Sequence, residues 1–192
     1  MPQPTPTTSI THALDLADAR HWTRKPPTRP ATRLRHLLTT QPLEPLAARI
    51  FAYPAAVARW AEGDDLSDLN PTHAVLIERE IYRSWQPDVR RRAHQQILDH
   101  NGCVTAQLHA RFTYTTPNGE FPDARLQRIT EDLPALHASR LFEARHAQAD
   151  DDELRRILAD GIGEAHFFRA LPHDQQQAAL TINDLHLIQF YY

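Results

Sequence analysis

Between Cys103 and Thr116 the chain alternates for a dozen residues. Val104, Ala106, Leu108, Ala110, Phe112 and Tyr114 are apolar or aromatic, and Thr105, Gln107, His109, Arg111, Thr113 and Thr115 fall between them. Successive side chains of a strand point to opposite faces, so this stretch predicts one long, half-buried strand. Its apolar face belongs on a core, and its polar face meets water, a ligand or a partner.

The rest of the chain has to build that core. With 192 residues, 41% of them apolar and 23% charged, there is enough material for one domain without disulfides or metals to staple it. Cys103 is the only cysteine, which excludes an intrachain disulfide and a cysteine metal cluster. No apolar run reaches the length of a bilayer span, and the opening Met1-Pro2-Gln3-Pro4 has neither the basic nor the apolar region of a secretory signal. The expectation is a soluble protein of a reducing cytoplasm, with no membrane partner. A formal net charge of −3 gives no overall electrostatic case for nucleic acid. Lys25 is the only lysine beside twenty arginines, but the arginines are spread along the whole chain and read as a general bias rather than a site.

Taken in order, residues 1–30 read as a flexible N-terminal tail with one short helix, capped by Ser9, and a Pro-rich linker. Residues 31–192 read as a single α+β domain. Leu34, Leu37 and Leu38 mark a helix capped by Thr32. A second pattern runs from Pro45 to Trp60, with Pro54 set to kink or split it. Gly63–Asn70 reads as an acidic loop. His73–Trp85, with Val75, Ile77 and Ile81, reads as a strand, and Pro87–His100 as a helix stopped by Asn101-Gly102. After the long strand, Pro117-Asn118-Gly119 predicts a hairpin returning through Phe121. Leu126, Ile129, Leu133, Leu136 and Leu141 recur at helical spacing from Asp123 to Gln148, divided at Pro134. An acid-headed helix follows Asp150 and stops at Gly161 and Gly163. Asp174 is a candidate cap, and Leu185–Tyr192 is a terminal strand. The fold class is therefore α+β, with helices packed on one face of a small, mainly antiparallel sheet.

Three groups could carry chemistry. On the polar face of strand 103–116, His109 is a proton-transfer candidate and Arg111 an anion clamp, with Gln107 and Arg79 orienting a ligand. Glu143 and His146 are three apart and could both reach a metal, although one pair of ligands is incomplete for zinc or iron. Arg90-Arg91-Arg92 is a basic cluster that could grip phosphates. Glycine-rich nucleotide loops and nucleophile elbows are absent, and no motif implies a cofactor. The leading expectation is binding or conversion of a small anionic metabolite on the polar strand face. A non-catalytic protein-interaction or regulatory subunit competes with it, on the strength of Trp22, Trp60, Trp85 and Tyr191-Tyr192. Nucleic-acid contact through Arg90–Arg92 ranks third. Whether the chain is an enzyme, and whether it self-associates, stays open at this level.

Overall fold

The computed structural model describes residues 7–63, 66–100, 102–116, 119–123, 125–169 and 179–192. Part of the N-terminal tail, part of the acidic loop, the Asn101 stop, the Pro117-Asn118 turn and the Asp174 cap lie outside them. The chain forms two compact units. One combines Met1–His21 with Asp88–Tyr192, and the other is Trp22–Pro87.

The first unit is built on the long alternating segment, which forms strand β1 (Val104–Thr116). Its return strand β2 (Gly119–Pro122) pairs with Thr113–Thr116, and β3 (Gln127–Leu133) pairs with Val104–Ala110. β4 (Ala179–Tyr191) runs the length of the opposite edge, from Thr105 beside Tyr191 to Thr115 beside Ala179. All pairings are antiparallel, and β1 takes part in each one. A strand paired on both edges leaves no open backbone ladder, which suits the most regular segment of the chain.

Helices α1 (Ile10–Asp18), α7 (Ala135–His146) and α8 (Asp151–Ile162) cover the apolar side. Their buried residues join Val104, Ala106, Leu108, Ala110 and Phe112 in one core. The Asp151 carboxylate accepts bonds from the backbone N–H of Ile10 (3.1 Å) and Thr11 (2.9 Å), so the first residue of α8 caps α1. A helix start leaves such donors unpaired, and a carboxylate there is favoured by the dipole. The α+β class holds: helices lie on one face of a four-stranded antiparallel sheet.

The second unit contains α2 (Pro30–Leu38), α3 (Leu43–Arg49), α4 (Pro54–Glu62) and α5 (Pro71–Ser84). Leu34, Leu37, Leu46, Ile50, Val57, Trp60, Ile77 and Ile81 form its core. Pro54 divides the apolar pattern into α3 and α4, as its missing N–H requires, and opens α4.

Two expected elements are corrected. His73–Trp85 is helix, not strand. Asn70 caps α5 by accepting from His73 N–H at 2.9 Å, Pro71 takes the first turn, and Ile77 and Ile81 bury one helical face. The β-branched residues mislead here, because strand propensity yields to packing. Residues 127–133 are strand, not helix. Ile129 and Leu133 do fit a helical repeat, but with Glu131 between them they also fit the inner face of a strand opposite Leu108 and Val104. Helix α8 runs through Gly161 and ends at Ile162 with Gly163 as its C-cap, where the chain passes into a π-helical turn at Gly163–Phe167. Both glycines are there for close packing: a Cβ on Gly161 would lie 3.0 Å from the His137 Cβ, and one on Gly163 would lie 2.7 Å from the Phe168 ring.

Candidate functional site

The face of the sheet opposite the helices carries no buried residue among those described. Across it, register sets the neighbours. His109 stands directly opposite Arg128 of β3 on one side and Leu187 of β4 on the other. Next to Leu187, β4 bulges, with register shifts on either side of Ala110. The extra β4 residue, His186, brings its ring to 6.3 Å from that of His109. Arg128 is exposed and has no ion pair or hydrogen bond among the described residues.

Arg111 behaves differently: its guanidinium donates to Asp184 at 2.7 Å, with both side chains about half exposed. At the other end of the face, the Tyr191 hydroxyl donates to Gln189 Oε1 at 2.7 Å, and Gln107 Oε1 lies 3.1 Å away. Arg20 lies over the Tyr191 ring. The expected residues Gln107, His109 and Arg111 thus share one face. Arg79 is an exposed residue of α5, in the other unit.

A second constellation lies inside the sheet unit, where four elements meet. Helix α6 (Pro87–Asp99) directs Arg90 and His94 inward, and both are buried. Asp15 and Asp18 of α1 are buried with them, as is Arg145 of α7. Arg145 Nε donates to Asp15 Oδ1 at 3.1 Å, and Arg90 Nη2 lies 3.4 Å from the same oxygen. Arg90 Nε lies 2.6 Å from Asp18 Oδ2. The Tyr192 hydroxyl donates to Asp18 Oδ1 at 2.6 Å, and His94 Nε2 approaches the same oxygen at 2.6 Å. The other nitrogen of His94, Nδ1, lies 3.0 Å from Nε2 of the exposed His146. The His94 ring is stacked on Phe142 at 3.7 Å, which fixes its plane.

Burial and charge act on these groups in different proportions. Burial raises the Asp15 carboxyl from 3.8 to about 6, and the charges of Arg145 and Arg90 offset only part of that. Burial also works against a charged Asp18. There the His94 hydrogen bond, the His94 and Arg90 charges and the Tyr192 hydroxyl prevail and hold the carboxyl below its usual value. Burial, with the His94 and Arg90 charges behind it, lowers the His146 imidazole. Burial and the neighbouring Asp18 push the Tyr192 phenol well above its usual value. Chemically, the row Asp18–His94–His146 is a proton path from a buried carboxylate to a surface imidazole.

This network absorbs two of the groups singled out in the sequence. Arg90 is turned into the interior, while Arg91 pairs with Asp88 and the Arg92 side chain bonds the Asp88 carbonyl. Glu143 accepts from Ser139 at 2.9 Å, whereas His146 meets His94. Among the described residues, no group of three or more His, Cys, Asp or Glu is placed to hold a metal ion. Sequence reasoning misses the network as a whole. One signal points to it: Asp18 follows Ile10, Leu14 and Ala17 on the apolar face of α1, where a charge demands a buried partner.

No protein-family model matches the chain, and neither does any curated protein or solved structure. Among the described residues, no helix is long and apolar enough to cross a membrane.

Proposed function

We propose that the chain is a binding protein that recognises an anionic ligand on the uncovered sheet face, at His109, Arg128 and His186. The observation that carries this reading is the placement of Arg128. It stands directly across from His109, beside a second histidine, with no carboxylate partner among the described residues. A guanidinium can take a carboxylate or phosphate through paired hydrogen bonds, and the flanking imidazoles add donors. Gln107, Gln189 and Tyr191 extend the surface with further hydrogen-bonding groups.

The test is calorimetric titration with di- and tricarboxylates and phosphate esters, at low and at physiological salt. Binding should weaken as salt rises, because the site is exposed. Arg128→Ala should abolish the response. Asp184→Asn should tighten binding several-fold by removing a carboxylate that competes with an anion beside Arg111. Failure of every anion, or binding that ignores Arg128→Ala, would overturn the reading.

A further inference from the structure

Between Asp18 and Glu44 the chain carries no carboxylate, the longest such stretch it has, yet Arg20, Arg24, Lys25, Arg29, Arg33 and Arg35 all fall inside it. The net charge of −3 is therefore unevenly spread, with a basic run leading into α2 and the acids elsewhere. From Trp22 onward the run belongs to the helical unit. Arg24, Lys25, Arg29 and Arg35 are exposed there, and none has an ion pair among the described residues. Arg35 has one side-chain bond, to the Thr32 hydroxyl at 3.4 Å. Helix α5 packs on α2, but its carboxylates Glu78 and Glu80 are engaged by Arg33 and Arg49.

The backbone gathers these cations. Pro26, Pro27 and Pro30 stiffen the segment before α2, which has neither helix nor strand from 25 to 28. Arg33 Nε donates to the Pro27 carbonyl at 2.7 Å, and the Trp85 indole donates to the Arg24 carbonyl at 2.9 Å. The Trp85 ring in turn meets the His36 ring edge-on at 4.8 Å. The segment thus runs back along α2. Arg24 and Lys25 come level with Arg35 and His36, and Arg29 lies at the other end of the helix, about 13 Å away. The Trp22, His36 and Trp85 rings are each only partly buried.

We propose that this surface binds single-stranded nucleic acid, with the four exposed cations on phosphates and the neighbouring rings on bases. It is separate from the anion site of the sheet, which lies in the other unit. Charge sets the sign of the partner, and guanidinium forks without a carboxylate suit phosphate oxygens. Rings interleaved with cations suit bases whose faces are not already stacked in a duplex. A lipid surface fits less well: no large apolar side chain is exposed between Trp22 and Leu43, so nothing in that span would enter a bilayer. An acidic protein segment would satisfy the charges and leave the rings unused.

Fluorescence anisotropy of a labelled oligothymidylate of about 15 nucleotides, titrated with the full chain from about 50 to about 200 mM salt, tests this. Four phosphate contacts on a single strand give a slope of log affinity on log salt near −3, so binding should weaken by about fifty-fold across that range. Base stacking should quench indole emission from Trp22 and Trp85, while the buried Trp60 stays bright. The double variant Arg24→Ala, Arg29→Ala removes two exposed side chains that hold nothing among the described residues. It should melt with the wild type, and its salt slope should fall to about half. No binding at about 50 mM salt, binding without quenching, or a slope unchanged in the double variant would each overturn the proposal. So would loss of binding in Arg128→Ala instead, equal affinity for polyglutamate or phosphatidylserine vesicles, or tighter binding to a duplex of the same length.

Discussion

Replacing Asp15 with asparagine should remove a carboxylate whose effect on stability runs opposite in pH to that of an ordinary ion-paired one. Asp15 lies between Arg145 and Arg90, yet its carboxyl is raised from 3.8 to about 6 because burial outweighs both guanidinium groups. A carboxyl with a raised folded value binds its proton more tightly in the native state than in the unfolded chain. Its contribution to stability is then fully present below the unfolded value and is lost as pH rises through the folded one. A rise of that size is worth about 3 kcal/mol. Asparagine copies the protonated form in shape and cannot ionise. Between pH 4 and pH 7 the wild type should therefore lose about 2.5 kcal/mol of that relative to Asp15→Asn. The assay is urea unfolding by far-ultraviolet circular dichroism, repeated at regular intervals of pH across that range. At a slope near 1.5 kcal/mol per molar, the gap between the two midpoints should change by about 2 M. A gap that stays constant with pH would refute the reasoning. A gap that changes in the opposite sense would mean that the two arginines overcome burial.

Three further outcomes are expected. Asp151→Asn weakens the acceptor that holds the Ile10 and Thr11 N–H groups and should cost about 1–3 kcal/mol at neutral pH, read from urea midpoints. Hydrogen bonds from Thr11 hold the Asp151 carboxyl below its usual value despite burial, so the wild-type advantage should fade as acid protonates it. Tyr192→Phe removes the hydroxyl that donates to Asp18 and should cost about 1–2 kcal/mol by the same measurement. Gly163→Ala forces a methyl against the Phe168 ring and should lower the melting temperature of the sheet unit by several degrees, corresponding to about 1–3 kcal/mol.

The centre of the fold is legible in the sequence because β1 carries its instruction locally. Twelve alternating residues fit one periodicity only, and the strand that follows, β2, pairs back along β1. The Leu185–Tyr192 strand is legible for the same reason, although β4 begins earlier, at Ala179. The errors fall where spacing is ambiguous. Ile129 and Leu133, four apart, suit either a helix face or a strand face, and the open edge of β1 decides between them. The acidic head of α8 reads as serving its own helix, and Asp150 does cap it. Asp151, however, serves a helix 140 residues earlier in the chain. The same holds for Asp15, Asp18, Arg90, His94 and Arg145. Apart from Asp18, whose place on the apolar face of α1 is a signal, each looks like an ordinary helix-surface charge until the tertiary fold brings them together. On the polar sheet face, alternation alone places Gln107, His109 and Arg111 in a row. Arg128 and His186 come from other strands, and only the register sets them beside it.

The helical unit enters and leaves its host through a closed gate. At its two ends Thr23 N–H donates to Gln86 Oε1 at 3.0 Å, the Trp85 indole donates to the Arg24 carbonyl at 2.9 Å, and the Trp22 ring meets Tyr82 edge-on at 4.8 Å. A segment whose first and last residues clasp one another behaves as a cassette. Its two ends lie together, so a covalent link between them should cost the four helices little strain. For this chain, the four helices read as an insertion between His21 and Asp88 of the sequence that builds the sheet.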